Sequence, residues 1–292
     1  MFTGTYTAIV TPFKHGKIDE PALAHLIKNQ IKGGVDGIVP VGTTGESPTV
    51  DYQEHIHIVA LSVKYAAGKI KVLAGTGGNS TSEAIYLTQE AEKAGADGSL
   101  QVAPYYNKPT QEGLFQHFHA IARATKLPVV LYSIPGRCGV EIGVDTVDRL
   151  AHDSVNIVGI KEAGGNADRV SQLRAALGAR FNILSGDDSL TLPFMSVGAD
   201  GVISVASNII PREVAHMVKA YALGKHSVAL KLHQKFYPVF KDLFIETNPT
   251  PVKAALAMMG MCEEEYRLPL VKMSAKNREA LRATLIACGV LK

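Results

Sequence analysis

The stretch IVGIKEA, residues 157–163, has the pattern of a short, fully buried strand that ends on a lysine. Strands of this kind belong to parallel sheets, which are packed on both faces and offer an ammonium group no water along their length. At the carboxyl end of such a strand, Lys161 can point into a pocket instead. Partial desolvation lowers the pKa of a lysine, and the neutral amine condenses with a ketone to form a Schiff base. The alternative is that Lys161 only caps the strand and reaches solvent.

The rest of the chain repeats the same buried-strand pattern seven more times, with helical apolar spacing between the strands. Two of these helices begin with a predicted capping box, formed by Asp51 with Glu54 and by Ser80 with Glu83. Eight strand-then-helix units predict an α/β fold, a (β/α)8 TIM barrel. The predicted strands cover residues 5–11, 37–42, 71–75, 99–103, 128–132, 157–161, 181–184 and 201–205.

A four-residue motif supports this repeat. It reads GVDG at 34–37, GADG at 95–98 and GADG at 198–201, each time between a helix end and a strand start. The first glycine can end the helix in the left-handed conformation, and the Asp-Gly pair turns the chain into the strand. Short helix-to-strand loops also converge on these residues, but the motif precedes only even-numbered strands, which favours a true structural repeat.

After Gly224 the alternation stops, and three helical patterns follow at 226–244, 251–259 and 277–288. We therefore predict a barrel at 1–224 that carries the active site and a C-terminal helical region at 225–292. The competing fold is a doubly wound open sheet, which would usually place a glycine fingerprint after its first strand. Here the first strand is followed by Pro12, Phe13 and Lys14.

The composition excludes several classes of function. Thirty Lys and Arg against 27 Asp and Glu give a net charge of +3, too weak a field to indicate nucleic acid or an anionic membrane. The chain has no transmembrane-length apolar run and no signal-peptide pattern at its start, so no membrane partner is expected. Three scattered cysteines form no disulfide framework and fit a reduced, cytoplasmic setting.

In a barrel, the chemistry lies where the strands end at their carboxyl edge. The turn GTTGES at 42–47 offers hydroxyl and N–H groups to a small carboxylate, and PYYNKP at 104–109 offers phenols. Tyr132 ends the fifth strand, and Arg137 follows it. The seventh strand ends in SGDD at 185–188, whose two aspartates are interpreted as loop acids. A phenol beside an amine relays protons, and an arginine clamps a carboxylate. Together these groups indicate a carbon–carbon bond enzyme that acts on a keto acid through an imine.

Metal catalysis is not expected. A metal-dependent aldolase would need clustered histidine ligands, whereas His55 and His57 are two residues apart on a predicted helix and do not share a face.

Four stretches together resemble the dihydrodipicolinate synthase family, which belongs to the pyruvate-dependent class I aldolases with N-acetylneuraminate lyase. They are GTTGE at 42–46, YYNKP at 105–109, residues 132–137 and GIKE at 159–162. The resemblance runs nearly end to end, and Arg137 favours the synthases over the sugar-acid lyases.

The resemblance implies the substrates pyruvate and aspartate semialdehyde, no cofactor, and a homotetramer built as a dimer of dimers. Lys161 would form the imine with pyruvate, and Tyr132 would relay protons with Thr43 and with Tyr106 from a neighbouring subunit. The enamine would attack the aldehyde, and ring closure would lead towards lysine. The residues implied in substrate binding are Thr44, Arg137, Gly186 and Ile203, with Arg137 on the carboxylate of aspartate semialdehyde.

Some members of the family are inhibited by lysine in a cleft at a dimer interface. The chain departs there from the common pattern, with Tyr52 for histidine and Pro48 for alanine, and near the active site with Ser133 for asparagine and Cys138 for threonine. The positions that match the lysine cleft are Ser47, Pro48, Tyr52, His55, Asn79, Glu83 and Tyr105.

Two other hypotheses stay open at this point. One is a lyase or aldolase that acts on a sugar-derived 2-keto acid. The other is a catalytically silent barrel that binds pyruvate without turnover, against which the full set of candidate catalytic residues argues.

Overall fold

A computed structural model describes residues 2–292 and contains ten strands. Eight of them are parallel and close into a barrel in the order β1-β10-β9-β8-β7-β6-β5-β4, whereas β2 and β3 pair as a small antiparallel hairpin. The strands are β1 (Gly4–Ala8), β2 (Phe13–Lys14), β3 (Lys17–Ile18), β4 (Gly37–Val39), β5 (Lys71–Gly75), β6 (Gly98–Val102), β7 (Val129–Ser133), β8 (Ile157–Glu162), β9 (Asn182–Ser185) and β10 (Gly201–Ser204).

Helices follow the barrel strands and cover the outside of the barrel. Short 3₁₀ turns lie at Thr43–Gly45, Ser47–Thr49 and Ala206–Asn208. The α-helices are α1 (Glu20–Gly33), α2 (Tyr52–Ala66), α3 (Thr81–Lys93), α4 (Gln111–Arg123), α5 (Pro135–Cys138), α6 (Val144–Asp153), α7 (Ala167–Leu177), α8 (Thr191–Ser196), α9 (Pro211–Ala222), α10 (His226–Asp242), α11 (Thr250–Met258) and α12 (Ala275–Ala287).

The core has two parts, as a closed barrel requires. A large cluster lies between the strands and the helices, and a smaller one fills the barrel interior. The interior cluster consists of Phe2, Tyr6, Ala8, Val39, Leu73, Leu100, Val130, Tyr132, Leu184 and Ile203.

The barrel and its eight strands were predicted correctly, with differences at their ends. The first strand stops at Ala8 rather than Thr11, and the second stops at Val39 rather than Gly42. The second ends early because Pro40 follows and Val41 has a positive φ of 52°, which starts the turn. The hairpin of β2 with β3 and the one-turn helix α5 were not predicted.

The repeated glycine–aspartate motif has the same geometry in its three copies. Its first glycine has a positive φ each time, 78° at Gly34, 86° at Gly95 and 107° at Gly198. The aspartate accepts the backbone N–H of the preceding strand at 2.8 to 2.9 Å each time, a role that the sequence pattern did not reveal. The pairs are Asp36 with Thr5, Asp97 with Val72, and Asp200 with Ile183.

One predicted capping box is present and the other is not. Asp51 and Glu54 exchange the two expected hydrogen bonds at the start of α2. Ser80 makes no cap for α3, because its hydroxyl pairs with that of Ser82 at 3.0 Å.

The C-terminal region is packed onto the carboxyl end of the barrel. Lys253 forms a buried ion pair with Glu46 at 2.5 Å, and Asn248 donates to the hydroxyl of Thr44 at 3.0 Å. The segment that carries Asn248 and the helix α11 are therefore attached to the turn that follows β4, while the division into regions 1–224 and 225–292 stays a prediction. Between residues 2 and 292, the chain forms no helix long and apolar enough to cross a membrane.

Candidate active site

Lys161 lies inside the carboxyl end of the barrel. In β8 it pairs in register with Tyr132 of β7 on one side and Leu184 of β9 on the other. Its side chain is buried, and its Nζ lies 4.2 Å from the centre of the Tyr132 ring. The alternative of a solvent-facing, strand-capping lysine is therefore wrong.

The environment of Lys161 favours the neutral amine. Burial lowers the pKa of Lys161 to about 7, against the opposing effect of the Asp188 carboxylate, and the Arg137 guanidinium lowers it further. A lysine with this pKa is about half deprotonated at neutral pH and can act as a nucleophile.

Tyr132 supplies a phenol beside this amine. Its hydroxyl is hydrogen-bonded to the side chain of Thr43, and burial raises the pKa of Tyr132 to about 12 although the Arg137 guanidinium and the Thr43 hydrogen bond both lower it. The phenol therefore keeps its proton at neutral pH and can both donate and accept a hydrogen bond.

The turn after β4 brings Thr43 and Thr44 to the same place. The N–H groups of Gly45, Glu46 and Ser47 are used by carbonyls of the turn itself, those of Gly42 and Thr43. Within the described residues, the hydroxyl proton of Thr44 and the N–H groups of residues 42–44 therefore remain available to a carboxylate, whereas the Thr43 hydroxyl is paired with Tyr132. This set of donors is narrower than the sequence suggested.

Two adjoining cavities open around these groups. One of about 50 Å³ is lined by Lys161, and the other, of about 210 Å³, leads towards Tyr105 and Cys138. Both have Thr43, Tyr132 and Arg137 in their walls. The site therefore has a small space at the amine and a larger one beside it, and Arg137 borders both.

Arg137 stands at the rim, where α5 turns the chain after β7. Its side chain is exposed, and its Nη2 donates to the backbone carbonyl of Asn248 at 3.3 Å. The neighbouring Cys138 is buried, and burial raises the pKa of its thiol to about 11, so it is a neutral wall residue. Ser133 is buried and accepts the N–H of Ile142 at 3.4 Å, away from the cavities.

Of the two residues predicted to contact substrate through their backbones, Gly186 lies in a cavity wall and Ile203 in the barrel interior. Gly186 lines the small cavity, and a Cβ there would lie 3.0 Å from Cε of Lys161 and 2.6 Å from Cβ of Ala163. Ile203 lies in the barrel interior, where its side chain packs in the inner core. Their backbone contacts with substrate stay predictions.

Within a single chain, Tyr106 lies apart from the other candidate site residues. Its side chain is 91% exposed, its φ is 73°, and it is not among the residues that line either cavity. The rest of the proton-relay group, Thr43 and Tyr132, lies together with Lys161.

Two residues beside the amine were not identified from the sequence. Asp188 was interpreted as a loop acid, but it is buried and accepts hydrogen bonds from the hydroxyl of Ser204 and the N–H groups of Val205 and Ala206. Burial raises the pKa of Asp188 to about 6. The other is Asn248, which lines the small cavity from the C-terminal region. The paired acids after a buried strand were the available signal for the first; no pattern of residue spacing pointed to the second.

The residues matched to the lysine-inhibitor cleft line a third cavity of about 590 Å³, with one exception. Ser47, Pro48, Tyr52, His55, Glu83 and Tyr105 are in its wall. Asn79 is not among its lining residues, and its side chain donates to the carbonyl of Tyr105 at 3.1 Å.

Inside this third cavity, Glu83 and His55 have defined partners. Glu83 is hydrogen-bonded to Tyr52, so it faces the cleft instead of closing a capping box with Ser80. His55 bonds the carbonyl of Gly75 at 2.9 Å, and burial lowers the pKa of His55 to about 4, which keeps it neutral.

The described residues contain no cluster of three or more His, Cys, Asp or Glu that could hold a metal ion. His55 and His57 have separate partners, since His57 contacts Glu20 at 2.8 Å.

The fold and the site define a barrel with a sheltered lysine amine, a neighbouring phenol and a rim arginine, the constellation of an imine-forming aldolase. The chain belongs to the dihydrodipicolinate synthetase family, whose model matches residues 1–288.

Individual relatives with this family name match the chain over nearly its full length. A 4-hydroxy-tetrahydrodipicolinate synthase from Aquifex aeolicus (strain VF5) is 52% identical over 285 residues, which are 98% of this chain and 97% of the relative. The solved structure of the 4-hydroxy-tetrahydrodipicolinate synthase from Methylacidiphilum fumariolicum SolV is 60% identical in sequence, with a TM-score of 0.98, and the match covers 99% of this chain and 96% of that one. A structure of the Cyanidioschyzon merolae enzyme with lysine bound is 42% identical, with a TM-score of 0.97 over 99% of both chains.

Proposed function

We propose that this chain acts as a 4-hydroxy-tetrahydrodipicolinate synthase, a lyase of the class I aldolase type in the diaminopimelate route to lysine. Its substrates are pyruvate and L-aspartate 4-semialdehyde. The observation that carries the proposal is the buried amine of Lys161, whose pKa burial lowers to about 7, beside the Tyr132 phenol. The family and the names of its full-length relatives support the same activity.

The reaction follows from these groups. The neutral Lys161 amine attacks the keto carbon of pyruvate, and loss of water gives the imine. Loss of a methyl proton gives the enamine, whose carbon attacks the aldehyde of the second substrate and leaves a hydroxyl there. The amino group of that substrate then attacks the imine carbon, which closes the ring and releases the lysine. Tyr132, held by Thr43, gives and takes the protons of these steps.

Two carboxylates have to be held during the reaction. The hydroxyl of Thr44 and the free N–H groups of its turn suit the pyruvate carboxylate, because they lie in the wall of the small cavity with Lys161. Arg137 suits the carboxylate of aspartate semialdehyde, because a guanidinium at the rim can bind it with two parallel hydrogen bonds. No cofactor is part of this scheme.

The assembly is a further part of the proposal. We propose a homotetramer, a dimer of dimers, in which Tyr106 reaches the Thr43 and Tyr132 of a neighbouring subunit, because its own chain leaves it 91% exposed. The cytoplasmic location stays a prediction.

Lysine inhibition is proposed on the third cavity. Glu83 offers a carboxylate to an ammonium group there, and the C. merolae relative was solved with lysine bound. The seven matched positions, including Asn79, are the proposed set. An assay with and without lysine tests this, and Glu83→Gln should weaken any inhibition.

The test of the main proposal is an adduct experiment followed by a substrate comparison. Pyruvate and borohydride should leave a pyruvyl group on Lys161, which mass spectrometry of the peptides would locate. Turnover should occur with aspartate semialdehyde and not with N-acetylmannosamine or glyceraldehyde, and Arg137→Ala should reduce it. An adduct with turnover only of the sugar-derived aldehydes would favour the sugar-acid lyase. An adduct without turnover of any aldehyde would indicate a silent barrel.

A further inference from the structure

Asn248 lies in the segment between α10 and α11 and borders the small cavity that contains Lys161. It is 5% exposed, and three of its polar groups have different environments. Its Nδ2 donates to Oγ1 of Thr44 at 3.0 Å, and its backbone carbonyl accepts from Nη2 of Arg137 at 3.3 Å. Its side-chain Oδ1 is buried and has no hydrogen-bond partner.

The orientation of this amide agrees with the role of Thr44. While Nδ2 donates to Oγ1 of Thr44, the hydroxyl proton of that threonine stays available for the pyruvate carboxylate. If the amide were turned over, its oxygen would accept that proton, and the carboxylate would lose a donor. The orientation with Oδ1 unpaired is therefore the one that a carboxylate-binding Thr44 requires.

A buried carbonyl oxygen without a partner costs stability unless a ligand supplies a donor. Pyruvate has no donor, since its carboxylate and ketone only accept. The aldehyde and carboxylate of aspartate semialdehyde also only accept, but its α-ammonium group carries three N–H donors.

We infer that Asn248 is a specificity-determining residue, whose side-chain oxygen binds the α-ammonium group of the second substrate. The inference rests on the proposed function. In an α-amino acid, the ammonium and carboxylate groups are on one carbon, so their partners must be neighbours in the protein. Arg137, which suits the carboxylate, is hydrogen-bonded to the backbone of the same Asn248.

The test compares two aldehydes that differ in this group alone. Succinate semialdehyde lacks the amino group of aspartate semialdehyde and serves as a competitive inhibitor. Selectivity is defined as the Ki of succinate semialdehyde divided by the KM of aspartate semialdehyde. Asn248→Leu should lower this ratio by about tenfold or more, because a site built to pair a polar group then loses its advantage for the substrate that carries it.

Two further variants separate this role from that of the turn. Asn248→Asp keeps an acceptor and gives it a negative charge, so its selectivity should be retained or should rise, whereas the KM for pyruvate should also rise. Thr44→Val removes the hydroxyl but leaves Oδ1 of Asn248 in place, and should raise the KM for pyruvate with the selectivity unchanged.

The inference is overturned if Asn248→Leu weakens both aldehydes equally, or if Thr44→Val reduces selectivity as strongly as Asn248→Leu does. The adduct of pyruvate on Lys161 is measured in every variant. Its absence from the unmodified protein would reject the proposed function itself, whereas an adduct together with unchanged selectivity would reject only the role of Asn248.

Discussion

Replacing Lys253 by methionine tests how the C-terminal region holds the turn that carries Thr43 and Thr44. Lys253 and Glu46 form an ion pair at 2.5 Å, and both side chains are fully buried. The Lys253 ammonium also lies 4.4 Å from the centre of the Phe13 ring. In Lys253→Met, the carboxylate of Glu46 stays buried and loses its charged partner.

The expected cost is large compared with the stability of a protein. Removing one member of a buried pair costs about 3–5 kcal/mol, out of a typical total of about 5–15 kcal/mol. Burial lowers the pKa of Lys253 and outweighs the opposing effect of Glu46, so the charges are costly to bury even as a pair. Replacing both, as in Glu46→Gln with Lys253→Met, should therefore cost less than the single change.

Urea unfolding of the single and double variants measures this difference, and the KM for pyruvate reports on the turn. We expect Lys253→Met to lose about 3 kcal/mol or more and to bind pyruvate more weakly. A loss below about 1 kcal/mol, or a double variant less stable than the single one, would refute the reasoning.

Two substitutions next to the amine give further predictions. Gly186→Ala places a Cβ 3.0 Å from Cε of Lys161, so kcat should fall and the free energy of unfolding should drop by about 1–3 kcal/mol. The control is Gly136→Ala, whose added Cβ has no atom within 4 Å and should change neither quantity. Equal effects of the two variants on activity and on melting curves would contradict this prediction. Asp188→Asn removes the charge that raises the pKa of Lys161, so the pH profile of imine formation should shift to lower pH. The control is Asp187→Asn, which should leave the profile in place because the side chain of Asp187 bonds only Ser189. An unshifted profile in Asp188→Asn would contradict that assignment.

The barrel was predictable from the sequence because its strands are buried on both faces and read as apolar runs bounded by glycine. Their ends were not, because they depend on single dihedral angles such as that of Val41. The cap proposed for Ser80 failed for a similar local reason, since Ser82 offers its hydroxyl a competing partner.

The site was predictable where residues lie at the carboxyl ends of strands, as Lys161 and Tyr132 do. It was not predictable where distant segments meet. Asn248 comes to the cavity from beyond the barrel, and no spacing in the sequence relates it to Thr44. Asp188 differs from Asp187 only in the direction of its side chain, which the fold decides.

The central claim is that burial makes the amine of Lys161 a nucleophile at neutral pH. A lysine with a pKa of about 7 is half neutral at pH 7, compared with roughly one molecule in three thousand at the ordinary value of 10.5. The most direct measurement is the pH dependence of the initial rate at which pyruvate is trapped on Lys161 by cyanoborohydride. The rate should rise with the neutral amine, with a midpoint near pH 7. A midpoint near 10.5, or no adduct on Lys161, would contradict the account.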